Sequence, residues 1–254
     1  VAPSAITANT KTVLIKNGVP VFEPTSEPRA LDAGELPDIV HTYRAAALNA
    51  VETAGFDGVE IHGANGYLLD QFLKTGSNQR SDDYGGSIKN RARLLLEVTR
   101  SIVDAIGGGR TGIRLSPVTP ANDVHDADPQ PLFEYVVKQL AKLNLAYVHV
   151  IEGATGGPRA LSERPFDYAA LKGAYRAAGG KGAWMVNNGY DLALADGGAD
   201  LVYTFDAQAE HTGIAELLRE LHTGLVADVD VATQKRFDNG HRAEALARPL
   251  AEEK

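Results

Sequence analysis

Residues 59–67 read V-E-I-H-G-A-N-G-Y, a short apolar, β-prone run that breaks into a loop carrying His62, Asn65 and Tyr67. The run up to His62 has the pattern of a buried strand, and the glycines behind it stop the strand and let the backbone turn closely. Polar side chains at the carboxyl end of a parallel strand stand where α/β folds keep their chemistry. His62 and Asn65 offer two hydrogen-bond donors there, and Tyr67 offers a proton. Taken singly, each also has a bland reading, as a satisfied structural histidine or a packing tyrosine.

Outward from this stretch the chain alternates strands and helices. Toward the N-terminus, apolar spacing from Glu35 to Ala54 predicts a helix with Pro37 in its first turn and Gly55 closing it. Before that, T-V-L-I-K-N-G-V-P-V gives two short β-prone runs about Asn17-Gly18, a hairpin at about 12–22 that is expected to act as a flap. Toward the C-terminus, a strand at Phe56 to His62 is followed by a helix from Ser87 to Ile106, with Leu94, Leu95, Val98, Ile102 and Ile106 on one face. Strands are then expected at 112–115, 146–151, 183–186 and 199–204, with helices at 131–143 and 166–178 between the first three. This βα rhythm predicts a parallel sheet of the TIM (β/α)8 barrel type. Only five strands are legible where a full barrel has eight, so the expectation is an incomplete or remodelled barrel over residues 1–204. Residues 205–254 read as one or two helices, 214–226 and 242–253, with no strand run.

Composition narrows the function classes. The 254 residues are 44% hydrophobic and 23% charged, ordinary for a globular domain with a sizeable core. A net charge of −8 and a pI near 5.4 argue against nucleic acid or an anionic membrane as partner. There is no cysteine, which removes disulfides, thiolate metal sites and Cys nucleophiles. No apolar run reaches the ~18 residues a membrane-spanning helix needs, and a cytoplasmic enzyme is the expectation. The acidic loop holding Asp123, His125, Asp126 and Asp128 reads as solvated rather than metal-binding, so no metal is expected.

One further observation sharpens the reading. G-F-D-G-V-E-I-H-G-A-N-G-Y-L-L-D-Q-F-L, then S-N-Q-R-S-D-D-Y-G-G-S-I-K-N-R-A-R up to Arg93, then R-L-S-P from Arg114, closely resembles the old yellow enzyme family of flavin-dependent ene reductases, nearest its N-ethylmaleimide reductase-like branch. The resemblance covers residues 1 to about 202 and implies FMN as cofactor, NAD(P)H as reductant and a small activated alkene as substrate. It implies that His62 and Asn65 bind the alkene's activating oxygen and that Tyr67 donates the proton. Arg114 would lie against the N1/O2 edge of the flavin, its alternative being an ion pair with a nearby carboxylate. Asn187, Asn188 and Gly189 would lend backbone N–H groups to the phosphate, with Asn188 standing where glycine is usual.

The departures from the family pattern carry their own expectations. The family's first three strands, including a Q-L-W-H type strand, have no counterpart in this sequence. The crossover between Tyr190 and Ala199 is cut to two helical turns at most. The Gly-Arg pair that grips the phosphate is replaced by Tyr203-Thr204-Phe205-Asp206. Self-association or a companion chain completing the barrel is therefore expected. A non-catalytic scaffold, or another barrel enzyme using the same strand ends without flavin, are the alternatives. Arg91 and Arg93 are expected to pair with acids, and Ser87 to cap the helix behind it.

Overall fold

The computed structural model describes residues 1–163, 165–190 and the backbone of 201–203. These lie within one compact unit, Val1–Phe205. The hairpin is formed by β1 (Lys11–Lys16) and β2 (Val19–Pro24), antiparallel with Lys16 opposite Val19. Asn17 and Gly18 turn it with φ of 53° and 78°, the doubly left-handed geometry that an Asn-Gly pair adopts readily.

α1 (Leu36–Leu48) begins after a 3₁₀ turn whose Asp32 and Glu35 form a reciprocal capping box, and Pro37 sits in its first turn. It widens into a π-helical turn at Asn49–Thr53 before Gly55, at φ 75°, ends it. Five parallel strands follow: β3 (Val59–Gly63), β4 (Thr111–Leu115), β5 (Tyr147–Ile151), β6 (Ala183–Asn187) and β7 (Leu201–Tyr203), hydrogen-bonded in that order. Between them run α2 (Leu68–Leu73), α3 (Ile88–Arg91), α4 (Arg93–Ile106), α5 (Pro129–Leu140) and α6 (Tyr168–Ala177). This is the α/β barrel arrangement, unclosed among the described residues.

Several expected boundaries moved. β3 starts at Val59 rather than Phe56, and the single helix expected over 87–106 is interrupted at Ala92, with Ser87 capping the first piece through Asn90 N–H at 3.3 Å. α2 was not anticipated at all. The expected crossover helix after Tyr190 and the expected helices at 214–226 and 242–253 lie outside the described residues.

Strand side chains alternate between two faces. Ile61, Ile113, Val148, Val150, Trp184 and Val186 are buried against α4, α5 and α6, joining Leu94, Leu95, Phe133, Val136, Leu171 and Tyr175 in one core. The alternate residues, Glu60, His62, Arg114, Tyr147, His149 and Met185, share the opposite, inner face.

The S-N-Q-R-S-D-D-Y-G-G run is structural. Arg80 donates to the carbonyls of Pro3 (2.9 Å) and Leu31 (2.5 Å) and pairs with Asp82, pinning the N-terminal segment to the body. Arg91, whose side chain is 6% exposed, pairs with Asp126 at 2.5 Å as expected and donates to the Leu73 and Gly86 carbonyls. Arg93 departs from expectation: it donates to the Asp83 carbonyl and lies over the Tyr84 ring, and among the described residues it meets no acid. Among the described residues no group of three His, Cys, Asp or Glu side chains could hold a metal ion, and no helix is long and apolar enough to cross a membrane.

Candidate active site

The parallel register builds a single row across the sheet. His62 stands opposite Arg114, Arg114 opposite His149, and His149 opposite Met185, all on the inner face. One rung toward the amino ends, Glu60, Gly112 and Tyr147 are aligned in the same way. A Cβ on Gly112 would lie 2.1 Å from the Tyr147 ring, so glycine there is what lets the tyrosine lie flat across β4. Glu60 Oε2 meets His149 Nδ1 at 2.8 Å, and Tyr147 also hydrogen-bonds Glu60.

These contacts set the electrostatics. Burial opposes ionisation of Glu60, but the hydrogen bond and charge of His149, with Arg114 and Tyr147 behind them, outweigh it and hold the carboxyl below its usual range. Burial, then the Glu60 charge, pushes the Tyr147 phenol up. Burial, followed by the Arg114 charge, pushes the His62 imidazole down, so at neutral pH it is uncharged. A neutral imidazole can still donate one hydrogen bond.

The loop after β3 is tightly specified. Asn65 and Gly66 are both left-handed, at φ 57° and 72°, and a Cβ on Gly66 would lie 2.5 Å from the Ala121 carbonyl oxygen. The Asn65 amide donates to Ser116 Oγ at 2.7 Å, its carbonyl accepts from Asn122 Nδ2 at 2.8 Å, and its Oδ1 accepts from Thr155 Oγ1 at 2.7 Å. With Oδ1 so engaged, the carboxamide keeps donor capacity on Nδ2. Tyr67 caps α2 in extended conformation, is 58% exposed, and tilts against the His62 ring with centroids 5.2 Å apart. The structure thus sets His62 between Tyr67, packed on its ring, and Arg114, its partner in register, with Asn65 on the same loop but oriented by Thr155.

At the end of β6, Asn187 is buried, and its Oδ1 has no hydrogen-bond partner among the described residues. Asn188 takes φ 104°, a backbone region that glycine occupies freely and asparagine only at a cost. Its side chain does not reach toward a ligand: Nδ2 donates to the carbonyls of Glu152 (2.5 Å) and Ala154 (2.8 Å), which leaves only its backbone for a phosphate. Gly189, at φ 68°, has open space where a Cβ would stand. Beyond it Tyr190 lies under the Arg159 guanidinium at 4.2 Å, and Arg159 pairs with Glu152 at 3.1 Å.

Glu60, Tyr147 and His149 were not singled out from the sequence. The signal existed: stepping back two from His62 gives Glu60, and the strand at 147–151 alternates Tyr147 and His149 against buried Val148 and Val150. The Thr155 contact to Asn65 has no such signal, because it joins two loops 90 residues apart.

Residues 1–204 match the NADH:flavin oxidoreductase / NADH oxidase family. The chain belongs to this family. The resemblance to the old yellow enzymes is borne out by its relatives. It is 45% identical over 194 residues to 12-oxophytodienoate reductase 7 of Oryza sativa subsp. japonica, covering 69% of this chain and 48% of that protein. It is 53% identical over 131 residues to a probable flavin mononucleotide-dependent alkene reductase of Leishmania infantum, covering 52% of this chain and 36% of that one. Among solved structures, the old yellow enzyme homologue from Zymomonas mobilis superposes with a TM-score of 0.74 at 31% identity, over 91% of this chain and 63% of that chain. Morphinone reductase in complex with tetrahydroNAD gives 0.73 at 35% identity, over 91% and 62%. The chain spans about half the length of the relatives it matches.

Proposed function

We propose that this chain carries the substrate-binding and proton-delivering residues of an FMN-dependent, NAD(P)H-driven reductase of activated alkenes such as enones, maleimides and nitroalkenes. The observation that carries the reading is His62 packed against Tyr67 at one strand end, in register with Arg114 on the neighbouring strand. The relatives' names, 12-oxophytodienoate reductase and alkene reductase, support it.

The donor set fits the cofactor in part. Arg114 supplies a fixed positive charge for an electron-rich flavin edge, and Asn187 has a buried acceptor oxygen with hydrogen-bonding capacity to spare. Gly189 and the backbone of Asn188 are the groups that would hold the phosphate. When bound, FMN supplies the hydride taken from the nicotinamide. His62 and the Nδ2 of Asn65 bind the activating oxygen of the alkene and stabilise the negative charge that develops on it. The Tyr67 phenol delivers the proton to the carbanion that forms at the α-carbon. Its exposure leaves it accessible to a substrate on the sheet's carboxyl side. A cytoplasmic location suits the supply of a nicotinamide reductant.

A second reading is favoured by the position of β3, which is an edge strand among the described residues. An edge of this kind is a pairing site, and we propose that a second copy or a companion chain pairs there before FMN is held firmly. Tyr67→Phe tests the catalytic assignment in the flavin-loaded protein. Flavin reduction by NAD(P)H should stay near the wild-type rate while alkene reduction slows by ~100-fold or more, the usual scale for a lost general acid. Equal slowing of both half-reactions would assign Tyr67 a structural role.

A further inference from the structure

Beneath the loop that carries Asn65 and Tyr67 lies a fully buried ion pair that none of the chemistry above uses. Asp70 and Lys74, one turn apart at α2, have side chains 0% and 1% exposed and meet at 2.9 Å. Asp70 makes these contacts through Oδ2, which accepts from Gly66 N–H at 2.9 Å and from Lys74 Nζ and lies 3.4 Å from Ser116 Oγ. Lys74 also donates to the Ser116 carbonyl at 2.8 Å and sits 5.8 Å from the Phe133 ring centroid. Ser116 Oγ in turn accepts the Asn65 N–H.

Everything this pair grips belongs to the site. Asn65 and Gly66 are the left-handed turn between His62 and Tyr67, and Ser116 follows the strand that presents Arg114. An Asn-Gly pair takes up that shape readily, so what its surroundings must fix is where the turn sits against the end of β4. Cohesion does not explain the charges, because an apolar pair of similar volume generally stabilises a core as well as a buried ion pair or better. What an ionised carboxylate adds is a single oxygen able to take several short, charge-assisted bonds at once, including one from a backbone amide of the turn.

We propose that Asp70 and Lys74 are positioning residues, a buried clamp that fixes the Asn65–Gly66 turn against the end of β4 and so holds Asn65 and Tyr67 in place relative to Arg114. The clamp itself is independent of the proposed function; its kinetic consequence rests on that reading.

The test is a charge-free double variant, Asp70→Leu/Lys74→Met, which keeps the volume apolar and leaves no buried charge unpaired. The folded variant should show hydrogen exchange at the Asn65 and Gly66 amides accelerated at least tenfold, with the amides of β4 and β5 unchanged. In the flavin-loaded protein, alkene reduction should slow at least tenfold while flavin reduction by NAD(P)H is preserved. Ser116→Ala, which removes one hydroxyl and leaves the ion pair intact, is the variant to use if the double variant does not fold; it should accelerate exchange at Asn65 more than at Gly66. Wild-type protection at both turn amides in the folded variant, or equal acceleration throughout the sheet, overturns the clamp. A wild-type protein that reduces no alkene, yet shows the localised exchange change in the variants, would retire the functional reading and leave the clamp standing.

Discussion

Replacing Glu60 by glutamine isolates one charge on the inner face while keeping its shape. The carboxylate meets His149 Nδ1 at 2.8 Å with its side chain 30% exposed, and Tyr147 and Arg114 add to its stabilisation. A hydrogen bond to a charged group contributes about 1.5–3 kcal/mol. Partial exposure places this one at the low end, and the amide retains a neutral hydrogen bond, so the variant should lose about 1 kcal/mol at pH 7, roughly fivefold in the folding equilibrium. The sign follows from the direction of the shift. A carboxyl held below its usual value contributes stability that is fully present above the unfolded-state value of 4.5 and is lost as pH falls through the lower, folded-state one. Urea unfolding of both proteins from pH 7 downward should therefore show a gap that is constant near neutrality and closes below pH 4.5. A gap independent of pH, or a variant as stable as the wild type at pH 7, would refute the assignment of Glu60 as an ionised partner of His149.

Gly66→Ala should cost about 2–4 kcal/mol, adding the left-handed penalty to overpacking against the Ala121 carbonyl; thermal unfolding checks this, and a change under 1 kcal/mol would mean that the turn relaxes freely. Asp126→Ala leaves the Arg91 guanidinium buried without its carboxylate and should destabilise by about 3–5 kcal/mol in urea, whereas a small loss would show that the Leu73 and Gly86 carbonyls suffice. Arg114→Ala should weaken FMN retention, read as quenching of flavin fluorescence on titration; unchanged affinity together with unchanged flavin reduction would remove Arg114 from the cofactor site.

The strands were legible because each is a short run of aliphatic, β-branched or aromatic residues, and their order followed from the βα rhythm. Helix α2 escaped because its six residues lie directly behind a glycine-rich loop and follow a tyrosine at the N-cap, where Ser, Thr, Asp or Asn would have signalled a helix. The break at Ala92 escaped because the apolar spacing runs through it unbroken. For the candidate site, His62, Asn65 and Tyr67 were proposed from one strand end and Arg114 from the family resemblance, while Glu60 and His149 required knowing that the inner face carries polar residues. The role of Asn188 was half visible: the departure from glycine could be read, but the use of its side chain to tie the 152–154 loop could not, because that contact is purely tertiary.

The central claim is tested most directly by loading the wild-type chain with FMN and following flavin absorbance anaerobically. NADPH or NADH should bleach the bound flavin, and subsequent addition of a cyclic enone should restore its absorbance with formation of the saturated ketone. A chain that binds FMN and is bleached by the nicotinamide, yet is not reoxidised by enone, maleimide or nitroalkene, would contradict the account.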